Sequence, residues 1–198
     1  NDANCAALGE ATAGAAKNAR NMLMVTLGTG VGGGIIIDGK LYTGCNGIAG
    51  EMGHIVIQRD GEPCNCGRKG CLAYASASAF VKFAERALAE GRESLLSKSA
   101  GHLDAKMICD AVDAGDLLAR ELFDDYCENL SSGLASYINI FQPECLVLGG
   151  GLAGYGEKLL EPLRRLTTPQ TFRSDKCNTE IVCASLGNDA GLIGAAML

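Results

Sequence analysis

The sequence predicts a single α/β domain carrying a small metal-stapled insertion, and three patterns point there. Short apolar runs alternate with stretches of helical periodicity. Two of those runs end directly in glycine clusters, Gly28 onward and Gly149-Gly150-Gly151. Three cysteines crowd into residues 64–71. At 198 residues and 47% apolar composition the chain can bury a core. A net charge of −6 argues against sequence-independent binding to phosphate backbones, so nucleic acid is not an expected direct partner. The longest apolar runs, 22–27 and 35–37, fall far short of the roughly 20 residues of a membrane span, and no secretory signal is expected. Seven of the ten cysteines are scattered through apolar or helical contexts, which suits a reducing cytoplasm better than a disulfide framework.

Taken in order, residues 3–19 are small and helix-favouring, and 22–27 read as a strand. The run 28–34 is a glycine-rich loop; its glycines suit backbone approaching a ligand. Residues 35–37, Asp38-Gly39 and 40–42 form a strand, tight turn and second strand. A second glycine-rich stretch, 44–53, leads to His54. Helices follow over 76–90, 104–114 and 115–141; in the last, Leu118, Leu122, Tyr126, Leu130, Leu134 and Ile138 recur every four residues, helped by Phe123 and Tyr137. Pro143 stops that helix, 145–148 is a buried strand, and the glycines 149–151 form a ligand loop or a simple strand-to-helix turn. An interrupted helix over 157–166, a strand over 179–184 and a closing helix from Asn188 complete the chain. The chain opens on Asn1 and not on methionine, and is expected to be a piece of a longer protein.

Cys64, Cys66 and Cys71 with two intervening glycines have the spacing a small tetrahedral metal requires, and His54, one of two histidines, is the nearest fourth ligand. A local disulfide is the competing reading; bonds within so short a loop would be strained. Three thiolates and one imidazole fill all four positions, so the zinc is expected to be structural and to fix His54 and the 50–53 loop. On their own, Asp2 reads as the cap of a helix starting at Ala3, and Glu51 as readily a solvated loop acid as a ligand.

These residues together carry a resemblance. Asn1-Asp2-Ala3-Asn4, the 27–34 run Leu-Gly-Thr-Gly-Val-Gly-Gly-Gly, Gly50-Glu51-Met52-Gly53-His54, the Cys64–Cys71 motif and Leu148-Gly149-Gly150-Gly151 resemble, in order and over essentially the whole chain, the ROK family of sugar kinases and repressors. The resemblance is strongest to its glucokinase branch. It implies an actin-like, ribonuclease H-like ATPase fold, with residues 1–198 as mainly the C-terminal lobe of a two-lobed kinase and 54–71 as a zinc-binding segment within it. It implies ATP-dependent phosphorylation of a hexose 6-hydroxyl, with Asp2 as general base, Asn1, Asp2, Glu51 and His54 holding the sugar, and His54, Cys64, Cys66 and Cys71 holding Zn²⁺. Gly28, Thr29 and Gly30 would face ATP phosphates accompanied by Mg²⁺, and Gly149, Gly150 and Gly151 the adenosine. It further implies a cytoplasmic homodimer, and an isolated lobe without activity. The same core would serve a sugar-sensing repressor or a kinase for an N-acetylated amino sugar. One departure stands out: the family follows its last zinc cysteine with Leu-Glu, and that glutamate binds sugar, whereas here Leu72 is followed by Ala73 and Tyr74.

Overall fold

In the computed structural model, which describes residues 1–99 and 101–197, the chain is built around one mixed five-stranded sheet. Strands β1 (Met22–Leu27), β2 (Val31–Ile37), β3 (Lys40–Leu41), β4 (Cys145–Gly149) and β5 (Glu180–Cys183) lie in the order β3-β2-β1-β4-β5. The first three are antiparallel neighbours, whereas β1, β4 and β5 run parallel. The parallel pairs need long crossovers, and α1 (Asp2–Ala13), α2 (Ala77–Ala89), α3 (Ala105–Asp113), α4 (Leu117–Phe141), α5 (Glu157–Thr167) and α6 (Asp189–Ala195) surround the sheet.

Both faces of the central strands are covered, which explains why β4 and, apart from Thr26, β1 carry no polar side chains and do not alternate. Met22, Met24, Cys145 and Val147 join Ile36 and Ala7 in a small cluster beneath α1. Leu23, Val25, Leu27, Leu146 and Leu148 belong to the main core with Leu130 and Leu134 of α4. The four-residue stripe of α4 is buried as expected, apart from half-buried Leu122. Side-chain caps start the helices: Ser76 accepts from Ala79 N–H, Asp104 from Met107 and Asp116 from Ala119.

Three expectations need correction. The first helix ends at Ala13 and not at residue 19, because the Glu10 carboxylate captures the Ala15 N–H at 2.7 Å and draws the chain out of the helix. The glycine-rich loop is confined to 28–30; Gly32, Gly33 and Gly34 belong to β2, paired with Thr26, Val25 and Met24. The helix around Pro162 is continuous: burial of Leu159, Leu160 and Leu163 outweighs the roughly 3 kcal/mol an interior proline costs.

The glycines of β2 have a packing purpose. Side chains at Gly32 and Gly34 would run into Ala3 and Ala7, so α1 lies nearly on the strand backbone. On the other side of α1, Gly9 abuts the Ala190 carbonyl and Gly194 the Cys5 carbonyl, leaving no room for a Cβ at either position. Glu10, with no exposed surface, completes the clamp by accepting the Ser185 and Leu186 N–H groups at 3.0 and 2.8 Å. The start of α1 is thereby fixed relative to both the sheet and α6.

Candidate functional site

The start of α1, the 50–54 segment and the loop 28–30 lie around the end of the sheet where β1 stops and β2 begins. Asn1 is the N-cap of α1: its Oδ1 accepts from Ala3 and Asn4 N–H at 2.9 and 3.3 Å, so the cap lies one residue before the expected Asp2 and the helix starts at Asp2 itself. Asp2 is exposed in the first turn. Its Oδ1 accepts the Ala3 N–H at 2.8 Å, and no protein group engages Oδ2 among the described residues. Buried Asn4 lies in the same turn, with an Oδ1 that has no hydrogen-bond partner among the described residues. That oxygen is 3.9 Å from the position a Cβ would take on Gly50, which places the Gly50-Glu51 segment beside the start of α1.

Since β3 pairs only with Ile36 and Ile37, the edge of β2 from Val31 to Gly34 is left for another segment. The 50–54 segment occupies it. Gly50 approaches the Gly33 carbonyl, the Met52 side chain fills the space above Gly33, and Gly53 sits against the Val31 carbonyl where no Cβ fits. A single 3-10 turn, Met52–His54, results, with Met52 N–H bonded to the Gly50 carbonyl at 2.7 Å and His54 N–H to that of Glu51 at 3.1 Å. The turn leaves Glu51 exposed and His54 half-buried.

The ligand atoms of His54, Cys64, Cys66 and Cys71 all lie within 4.8 Å of one another. His54 Nδ1 is 3.5 Å from Cys64 Sγ, and the Cys66 and Cys71 sulfurs are 3.6 Å apart. A tetrahedral zinc with ordinary bond lengths would set these edges at about 3.6 and 3.8 Å. The backbone is shaped for the purpose: Cys64 N–H bonds to the Arg68 carbonyl at 2.8 Å, Pro63 bridges to Lys69, and Val56 to Cys71. Gly70, at φ +68°, passes against the Gln58 carbonyl. The Arg68 backbone N–H pulls the Cys66 thiol down to about 6, while burial pushes that of Cys71 up to about 12. Three sulfurs and one imidazole nitrogen at these distances form a four-ligand donor set that suits zinc. All ten cysteines are unpaired, so the competing local disulfide is not formed.

After the cluster the chain turns back toward the sheet. Leu72 N–H bonds to the Ile55 carbonyl at 2.9 Å, and Ala77 N–H to the Gly28 carbonyl at 2.9 Å, which ties the start of α2 to the loop 28–30. In that loop Gly28 N–H closes onto the Gly30 carbonyl at 3.0 Å, Thr29 is exposed, and the space beside Gly28 and Gly30 is open. Gly150, at φ +87°, sits where a Cβ would lie 2.5 Å from the Leu27 carbonyl oxygen, so the loop 149–151 lies directly beside the end of β1. Both glycine loops therefore occupy the C-terminal edge of neighbouring parallel strands, a position that commonly receives ligands in open α/β sheets. Ala73, where the resemblance leads one to expect a glutamate, is half-buried in the 3-10 turn Leu72–Ala75 and offers no side-chain donor or acceptor.

Several contributors had no sequence signal strong enough to single them out. Glu10 is one acid in a helix of small residues, Asn4 follows two more conspicuous polar residues, and Tyr137 reads as part of a core stripe. Glu10 and Tyr137 meet their partners only in the folded chain: Glu10 reaches Leu186, 176 positions away, and Tyr137 reaches the Met52 carbonyl, 85 positions away.

A mixed sheet with two glycine loops at its strand ends, a helix start bearing an acid and a cysteine-histidine knuckle beside them defines the class of protein. Comparison with known proteins gives the particular family: the ROK family model matches residues 1–198, and the chain belongs to that family. It is 43% identical, over its whole length, to a glucokinase from Halalkalibacterium halodurans, of which it covers 62%. A crystal structure of a ROK family glucokinase from Streptomyces griseus in complex with glucose and AMPPNP superposes with a TM-score of 0.88 at 38% identity, over all of this chain and 66% of that one. It is also 33% identical to the xylose repressor of Bacillus subtilis, covering 49% of that protein. The chain thus spans less than two thirds of the length of the glucokinase from H. halodurans.

Proposed function

We propose that this chain is the C-terminal lobe of an ATP-dependent hexose kinase, with glucose as its sugar. The observation that carries the reading is the meeting, at one end of the sheet, of the Asp2 helix start, the Glu51–His54 turn and the open loop 28–30. The identity to glucokinases over the whole chain supports it.

In this reading Glu51, His54 and the free Nδ2 of Asn1 hold sugar hydroxyls. Asp2 Oδ2 takes the 6-hydroxyl proton as that oxygen bonds to the γ-phosphorus and the bond to the β,γ-bridging oxygen breaks, releasing ADP. In the loop 28–30, closed by the Gly28 N–H, the backbone N–H groups of Thr29 and Gly30 and the Thr29 hydroxyl face the β- and γ-phosphates; glycines 149–151 receive the adenosine. Mg²⁺ arriving with ATP supplies charge neutralisation on those phosphates. His54, Cys64, Cys66 and Cys71 would hold a structural zinc, since four protein ligands leave no position for water. So held, the His54 imidazole would present its other nitrogen to the sugar.

The repressor relative motivates a second reading, a sugar-sensing domain with the same sugar turn. The acid at Asp2 and the unobstructed loop 28–30 favour the kinase. The full-length protein, assayed with ATP across glucose, mannose, xylose and N-acetylmannosamine, is expected to phosphorylate glucose best. Sugar binding without phosphotransfer to any of them would move the assignment to the repressor.

A further inference from the structure

The turn that carries Glu51 and His54 has a second anchor, independent of the cysteines. Tyr137 lies in the last third of α4, 85 residues further along the chain. It is only 2% exposed, and its hydroxyl donates to the Met52 carbonyl. Within the turn that carbonyl receives only a long bond, 3.4 Å, from the Ile55 N–H. Met52 is itself buried and its side chain is pressed against Gly33, so water is a poor substitute for the tyrosine. Zinc coordination acts at the far end of the turn, on the imidazole of His54, three residues beyond Glu51. From the metal site only the His54 N–H, bonded to the Glu51 carbonyl at 3.1 Å, reaches back into the stretch between Glu51 and Gly53, on which the direction of the Glu51 carboxylate depends. The Tyr137 hydroxyl restrains the middle of that stretch from the core side, while Gly53 packs against the Val31 carbonyl from the sheet side.

We propose that Tyr137 is a positioning residue for sugar recognition: its buried hydroxyl, through the Met52 carbonyl, sets the orientation in which Glu51 meets the sugar. The inference rests on the assignment of Glu51 to the sugar site. It separates two tasks that the zinc motif alone would be expected to perform. The metal orients His54, and a helix residue on the opposite side of the core orients Glu51.

The test uses full-length protein carrying Tyr137→Phe, which keeps the ring and deletes the donor, together with Glu51→Gln and the double variant. Glucose affinity is read by calorimetric titration, alongside KM for ATP and bound zinc. Tyr137→Phe is expected to weaken glucose binding about tenfold, the consequence of one buried acceptor losing its partner. KM for ATP and a content of one zinc per chain are expected to stay unchanged. Because both residues act on one contact, the double variant is expected to bind no more weakly than Glu51→Gln alone. Unchanged glucose affinity in Tyr137→Phe, or fully additive losses in the double variant, would overturn the proposal. A parallel loss of glucose, ATP and zinc would also overturn it, as it would mark Tyr137 as serving the core generally. If Glu51→Gln itself leaves glucose affinity intact, the sugar-site assignment fails and the proposal falls with it. Tyr137→Met, smaller but flexible, apolar and without a donor, is read in the same way should the phenylalanine variant not accumulate.

Discussion

Replacing Glu10 tests whether α1 is clamped, near the end opposite Asp2, by one buried acid. Its Oε1 accepts the Ser185 and Leu186 N–H groups at 3.0 and 2.8 Å, and Oε2 accepts the Ala15 N–H at 2.7 Å and the Ser185 hydroxyl at 3.3 Å. Glu10→Ala removes acceptors from three backbone donors. A fully buried donor left unpaired costs about 1–3 kcal/mol. Ala15 and Ser185 are exposed, so water recovers part of that, and the low end applies: about 3 kcal/mol for the three together. Glu10→Gln keeps Oε1 and so the Ser185 and Leu186 bonds, but turns an amide NH₂ toward Ala15, a loss of about 1–1.5 kcal/mol. Urea unfolding followed by circular dichroism, with a common m-value, would give both differences as shifts of midpoint. The alanine variant should be clearly less stable than the glutamine variant. If Glu10→Ala unfolds within about 0.5 kcal/mol of the parent, the range typical of an uninvolved surface change, the clamp is not energetic and the reasoning fails.

Acid should loosen the contact between α3 and the 3-10 turn Gly151–Tyr155, which follows the glycine loop. The bonds from Lys158 and then Tyr155 hold the Asp113 carboxyl below its ordinary value of 3.8. A depressed folded value means the stabilisation is complete above that ordinary value and is lost as pH falls through the folded one, so Asp113→Asn should flatten the acid limb of a stability profile below about pH 4; an unaltered limb would remove Asp113 from the account. Metal analysis should find about one zinc per chain, and Cys66→Ser should lose the metal and sugar binding together while the sheet persists by far-UV circular dichroism. A metal-free variant that still binds sugar would rule out the staple.

Much of this architecture could be read from the residues because local and tertiary preferences agree. The runs that became β1, β4 and β5, and the helices α2, α3 and α4, lie within about two residues of their expected positions, the last three marked by Ser76, Asp104 and Asp116 as caps. Disagreement arose where a distant partner overrode local propensity. Ala15 and Ala16 favour helix, yet the former's N–H goes to Glu10 and the latter's to the Glu10 carbonyl. Gly32–Gly34 look like a loop, but they form strand because α1 and Met52 occupy the space their side chains would need. The meeting of His54, Cys64, Cys66 and Cys71 was legible from spacing, since the reach of a short loop limits which sulfurs can meet. The roles of Asn4 and Tyr137 were not, because both depend on how the 50–54 segment lies along the free edge of β2.

The most direct test of the central claim is a comparison of turnover and glucose affinity in full-length Asp2→Asn. If an acid at the start of α1 removes the proton from a sugar held by the Glu51–His54 turn, turnover should fall by about 10²–10⁴-fold while the dissociation constant for glucose moves by less than threefold. Turnover close to that of the parent protein would contradict the account, because the reacting hydroxyl would then lie elsewhere.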